Sequence, residues 1–303
     1  MSGIITRANE AKELLPGLNA IFGLEYKSID DEHTSLFEVE NSERAFEEEV
    51  LFSMFGTAPV KSEGAGVQYD TAQEGYTARY THNTVALAFA ITEEAMEDNL
   101  YDTFAKVRAK GLARAMANTK QVTAANVFNN GFSASYVGGD NVALFSASHP
   151  TVGAGNQSNT VSADLSESAL ETASINISLF KDDRGILIGS MPVSLHIPPQ
   201  LQFIAERILK SDKRVGTADN DANAMRNMGI LSKGWSINHR FTDTNAWFIK
   251  TDVPNGTKCF VRVPLSTKME ADFDTGNIRY KARERYSFGW SNWRGFYGSN
   301  GSS

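Results

Sequence analysis

Cysteine is almost absent from this 303-residue chain. The single one, Cys259, leaves no intrachain disulfide and no multi-cysteine metal site, so sulfur does not hold the fold together. It lies in the apolar run CFVRV, where a small core residue is the plain reading. Long apolar runs are missing as well. The longest, VALAFAI from Val85 to Ile91, falls far short of the roughly 20 residues that cross a bilayer. The opening segment MSGIITRANEAKELLPG has no apolar core of signal-peptide type, and the expectation is a protein made in a reducing cytoplasm. Net positive charge is lacking too. Thirty-six acidic against 29 basic residues give a formal charge of -7, which disfavours a dedicated nucleic-acid binder. A container for nucleic acid needs no such attraction.

The usual carriers of chemistry are equally sparse. His33, His82, His196 and His239 are scattered, without the spacing that holds zinc. Ser146 and Ser148 stand near His149, and a soluble serine hydrolase would have to use them; neither lies in a strand-turn-helix G-x-S-x-G context. The loop GAGNQSN lacks the Lys-Ser/Thr pair that completes a phosphate loop. Asp182, Asp183, Asp219 and Asp221 sit in turn-like stretches that favour Asp for local backbone bonding. No catalytic residue, cofactor or metal ligand is expected. Trp290, Trp293, Phe296 and Tyr297 are read as core or subunit contacts in preference to a base-stacking platform.

What is present is long and extended. Residues 30–49 hold nine acids against the lone base Arg44, the mark of a polar arm, with Phe46, Val50, Leu51 and Phe55 at helical spacing. Between Ser53 and Phe89, Tyr76, Ala78, Tyr80, His82 and Thr84 alternate with Thr77, Arg79, Thr81 and Asn83, which predicts a two-stranded ribbon. An isolated ribbon is only marginally stable in water and needs a surface to lie on. Thr92 then caps a predicted helix reaching about Phe128, with apolar or small residues at Met96, Leu100, Phe104, Val107, Gly111, Ala115, Val122 and Ala125. At 1.5 Å per residue it is a rod of roughly 50 Å. Its second half carries Lys106, Arg108, Lys110, Arg114 and Lys120 without an acid. Further on come a helix from Ser166, a strand at Val193 to Ile197, and a helix from Gln200 to Lys210 after Pro198 and Pro199. Trp235 to Phe241 reads as a strand. Ala246 to Thr251 and Lys258 to Val263 read as a hairpin around Asn255-Gly256, and Met269 to Phe273 and Asn277 to Phe288 as a second one.

Four segments in order, LFSASHPTVGAGNQSN, SADLSESALETASINISLFKDDRGILIG, PVSLHIPPQLQFIAERILKS and YKARERYSFGWSNWRGFYG, resemble the phage major head subunits of the Mu type. The resemblance spans about Gly75 to Gly298. It implies the α+β capsid fold of the Hong Kong ninety-seven type: an N-terminal arm (1–50), an extended β-hairpin loop (51–91), a peripheral domain (92–163 and 246–303) with a spine helix at 93–128, and an α/β axial domain (164–245). The implied function is a major capsid protein that self-assembles into an icosahedral head shell around the phage genome, with no enzymatic step. The implied partners are copies of itself in pentamers and hexamers, scaffolding, portal and decoration proteins, and packaged double-stranded DNA held non-specifically. No membrane is involved. The location is the virion, after assembly in the bacterial host cytoplasm. Candidate inter-subunit contacts are Phe46, Lys61, Tyr76, Arg79 and Tyr80; candidate lumen- or DNA-facing residues are Lys106, Arg108, Lys110 and Arg114. Some relatives crosslink through a lysine on the extended loop, the region of Lys61. No long charged helix precedes the arm, so a separate scaffolding protein and little N-terminal processing are expected. An encapsulin-type nanocompartment would use the same fold and remains the nearest alternative, with the soluble hydrolase behind it.

Overall fold

The computed structural model describes residues 7–92, 94–95, 101–213, 222–272 and 275–302. Two four-stranded sheets and one long helix organise them. The first sheet has the order β1-β8-β9-β4, built from β1 (Glu38–Asn41), β4 (Asn83–Ile91), β8 (Thr257–Ala271) and β9 (Ile278–Trp290). β1 runs parallel to β8, and the other pairs are antiparallel. The second sheet has the order β10-β7-β5-β6, from β5 (Pro192–Ile197), β6 (Trp235–Ile237), β7 (Trp247–Thr251) and β10 (Phe296–Ser299). A separate ribbon pairs β2 (Phe46–Ser53) with β3 (Gln73–Thr81).

The long helix α3 (Tyr101–Asn129) follows α1 (Arg7–Lys27) and the short α2 (His33–Leu36). Its first half presents Ala105, Ala109, Leu112, Ala113 and Met116, at i, i+4, i+7, i+8 and i+11, to Tyr280 and Ala282 of β9 and to Leu18 and Phe22 of α1. Alanines on that stripe let the rod lie close to the sheet. Its last turns present Ala124, Ala125 and Phe128 to the second sheet, where they meet Phe248 and Phe296. One helix therefore underlies both sheets.

Strand alternation divides the second sheet between two cores. Leu195, Ile197, Trp247, Ile249 and Tyr297 point to α4 (Glu167–Ser178) and α5 (Gln202–Lys210), while Phe248 and Phe296 point back to α3. Ser166 caps α4 by accepting from Ala169 N at 3.2 Å, and Pro199 opens the single 3₁₀ turn that leads into α5. The short α6 (Ala224–Met228) is capped by Asn223 and stops at Gly229, whose φ of 58° is left-handed.

Five sequence expectations change. Residues 46–53 form a strand, not a helical stripe, because the cross-strand partner that fixes them lies some thirty residues away in β3. Accordingly the ribbon is β2 with β3, and β4, expected as its second half, belongs to the first sheet through β9. Asn255-Gly256 does form a turn, with Asn255 at φ 56°, but β7 and β8 on either side enter different sheets and do not pair. Within the segment expected to return to the peripheral unit, β7 and β10 join β5 in the second sheet, while β8 and β9 make up the first. The helical stripe is also rotated: Val107 and Val122 are exposed, since the buried face is the alanine one. Glu93, Met96 and Leu100, with Asp219 and Asp221, lie outside the described residues.

Candidate functional site

The ribbon is rooted firmly and open at its tip. Period-two alternation turns Tyr76, Ala78 and Tyr80 toward the body and Thr77, Arg79 and Thr81 away. Tyr80 is buried, edge-on to Phe260 at 4.8 Å, with its hydroxyl 2.5 Å from Ser291 Oγ. A Cβ on Gly289 would meet its ring at 2.8 Å, so the glycine creates the seat. Burial pushes the Tyr80 phenol well above its ordinary range. On the neighbouring strand Glu49 bonds both Lys258 Nζ and Ser291 Oγ. Burial alone would depress the Lys258 ammonium, but its contacts with Glu49 and Glu40 together hold it high. Tyr76 packs on the core of the second sheet, and a Cβ on Gly139 would strike Thr77 O at 2.6 Å. Tyr76 and Tyr80, expected at subunit contacts, therefore anchor the ribbon to its own chain.

Phe46 and Arg79 are on the open face. The Arg79 guanidinium lies 4.0 Å over the Phe46 ring, diagonal across the two strands, and 3.6 Å from Glu48. Lys61 is exposed in the 54–72 connection, together with Val60 at 99% and Tyr69 at 93% exposure. That connection is tied down at one point the sequence did not signal. Asp70 accepts from Gly56 N at 2.8 Å and Thr71 N at 2.9 Å, and meets Arg184 of the turn after α4 at 3.0 Å. The Gly56 amide foremost, then Thr71 and Arg184, holds the Asp70 carboxyl below its ordinary range. Asp70 and Arg184 are 114 residues apart, and no local pattern links them.

The basic half of α3 is partly spent within the chain. Arg114 Nε donates to Glu25 at 2.5 Å, and Arg108 to Ala90 O at 2.9 Å. Lys106 and Lys110 are exposed. The acidic arm is spent likewise: Glu32 accepts from His239 Nδ1 and Arg240 at 2.7 Å each.

No nucleophile is assembled at His149. Its ring is fully buried, 2.7 Å from Asp140 through Nδ1 and 3.1 Å from Asn159 Oδ1 through Nε2, and stacked 4.3 Å over Trp293. Ser146 Oγ accepts from Ser148 N, and Ser148 Oγ from Asn156, so neither hydroxyl is activated by the histidine. Asn159 donates to the carbonyls of Leu144, Trp293 and Phe296, which makes this cluster a knot between loop and C-terminal strand. Burial pushes the Cys259 thiol up to about 11, the setting of an inert core residue. Among the described residues no group of three metal-ligating side chains is placed to hold an ion, and no helix is long and apolar enough to cross a membrane.

A family model described as "Phage capsid protein" matches residues 75–299. No curated protein sequence matches the chain. Among solved structures, a virus-like particle from Pyrococcus furiosus is similar over 94% of this chain and 98% of its own, with a TM-score of 0.55 at 10% identity. The capsid of a native GTA particle gives 0.56 at 14% identity, covering 91% of this chain and 92% of that one. The capsid of Myoviridae Phage XM1 gives 0.52 at 9% identity, over 88% and 89%. At these identities the likeness is one of fold, and the fold is the mixed α+β capsid fold of the Hong Kong ninety-seven type.

Proposed function

The chain belongs to the phage capsid protein family, and on that premise we propose that it builds the head of a tailed bacteriophage as a Mu-type major head subunit. It is a shell-forming structural protein of the virion and not an enzyme. The observation that carries the finer reading is the ribbon: a root buried in its own chain beside a tip whose apolar side chains stand in solvent. Monomeric proteins rarely leave such groups uncovered, and the contact that suits this tip is a neighbouring subunit of the same shell. Phe46, Lys61 and Arg79 are the ribbon residues available for it.

The subunits form pentamers and hexamers in the host cytoplasm around a separate scaffolding protein, with a portal at one vertex and decoration proteins outside. Packaged double-stranded DNA is met non-specifically, and Lys106, Arg108, Lys110 and Arg114 are exposed bases of α3. The test is to express the chain together with its scaffolding protein, image the product, and then replace residues 57–69 with a short turn. The wild-type chain should give shells. The shortened one should keep its far-ultraviolet spectrum and lose them. Normal shells from it would refute the role given to the tip, and purified particles that enclose protein cargo in place of DNA would favour the nanocompartment.

A further inference from the structure

The second sheet carries α4 and α5 on the same face, in one shared core. Asn176 of α4 donates to the hydroxyl of Tyr297 on the edge strand β10 at 3.0 Å. The α5 helix is joined to α6 through Asn223, whose Nδ2 donates to Ile208 O, and the chain then runs into the other edge strand, β6. Each helix buries one side in the shared core: Leu170, Ala173 and Ile177 in α4, Ala205 and Ile208 in α5. The outward sides carry exposed apolar residues among polar ones, with Leu179 directly after the last residue of α4. On α4, Ile175 and Leu179 are 61% and 57% exposed; on α5, Phe203 is 70% exposed.

The charges beside these apolar residues have opposite signs. Four residues before Ile175, at the same helical stripe, stands Glu171; four residues after Phe203 stands Arg207. Among the described residues neither has an ion-pair partner, and Arg207 Nε bonds only its own helix, at Phe203 O. The neighbouring Glu206 is already paired with Lys210 at 3.1 Å. Four residues of helix span about 6 Å. An antiparallel approach of α4 to α5 therefore brings Phe203 between Ile175 and Leu179 and brings Arg207 opposite Glu171.

Among the described residues no hydrogen bond or ion pair joins the two stripes within one chain, and their apolar residues stand exposed, so the partner is another copy. We infer that α4 of one subunit docks antiparallel on α5 of the next, Ile175 and Leu179 enclosing Phe203 and Glu171 pairing with Arg207, as the heterologous contact that closes a capsomer ring. Each copy offers both halves, so the contact repeats around an axis until the ring closes. This rests on the shell-forming reading above and adds the surface that forms the ring.

A charge swap tests it. Glu171→Arg and Arg207→Glu, each alone, should lose the capsomers and shells seen with the wild-type chain by sedimentation and electron microscopy. The double variant E171R/R207E, in which every copy again offers opposite signs, should restore them. Single variants that assemble like wild type, or a double variant that stays as defective as the singles, would overturn the pairing. Far-ultraviolet spectra and melting temperatures should match wild type throughout. As a second measurement independent of mutation, amide exchange at 171–179 and 203–210 should slow on assembly of the wild-type chain, and unchanged exchange there overturns the interface. Failure of the wild-type chain to form particles at all would instead strike the shell-forming reading itself.

Discussion

Three histidines of this chain are held neutral by burial. His196, enclosed between the hydroxyls of Ser194 at 2.9 Å and Ser236 at 2.7 Å, is pushed down to about 3 by desolvation, with Lys250 adding to the effect. Both partners can donate or accept, so a neutral ring satisfies them and a charged one gains nothing. His33 and His82 are lowered in the same sense, first by burial and then by Lys120 and Arg285 respectively. As pH falls below the ordinary value of 6.5, the unfolded chain takes up these protons before the folded one. The stability that the neutral rings contribute is thus complete above that point and drains away toward about pH 3 for His196. Denaturant midpoints at pH 5 should lie below those at pH 7.5, and His196→Gln should narrow the gap. Residue-level expectations fared according to whether the burying surface was local. Cys259 in CFVRV is the core residue its neighbours imply, whereas Tyr76 and Tyr80 look like exposed ribbon residues until the core of the second sheet takes Tyr76 and Phe260 and Gly289, about two hundred residues on, seat Tyr80.

The ribbon shows the same division at the level of elements. Its alternation was readable in Tyr76 to Thr81, but β2 was not, because Phe46, Val50 and Leu51 also fit a helical period and only pairing with β3 decides between them. The elements read correctly are those whose signals are contiguous: the helix beginning at Ser166, the proline pair before α5, and the β8–β9 hairpin. The stripe of α3 was misplaced by weighting Val107 and Val122 over the alanines that actually face the sheet. The Asp70–Arg184 contact was invisible, and it yields a prediction for the ribbon tip. Asp70→Ala removes the acceptor for Gly56 N, Thr71 N and Arg184 at once, so limited proteolysis between residues 54 and 72 should accelerate several-fold, with little change in the melting of the body. Arg184→Ala should give a smaller acceleration, since the two backbone contacts remain. Equal cleavage rates in all three proteins would mean the carboxylate does not order the loop.

For the molecule as a whole, Phe128 is the joint. It makes ring contacts with Phe37, Phe145, Phe241, Phe248 and Phe296, which come from the arm, the long loop, the segment before β7, and two strands of the second sheet. Phe128→Ala should therefore cost about 3–5 kcal/mol, at the upper end for a core truncation. It should also loosen both sheets together in a denaturant titration; independent melting of the two would contradict a common joint. The fold class followed from the order of linked segments, but the partition into two sheets did not, because β7 and β8 are separated by a short turn and yet part company.

The first sheet has a further consequence, in time instead of space. β1 pairs with β8 at Glu38 and Lys258, and β4 has β9 as its only partner among the described strands, at Asn83 and Tyr286. A ribosome must therefore deliver most of the chain before its early strands can find their places. Until residue 290 emerges, the nascent polypeptide has a ribbon without a root. A subunit able to meet its neighbours exists only once β9 has been made.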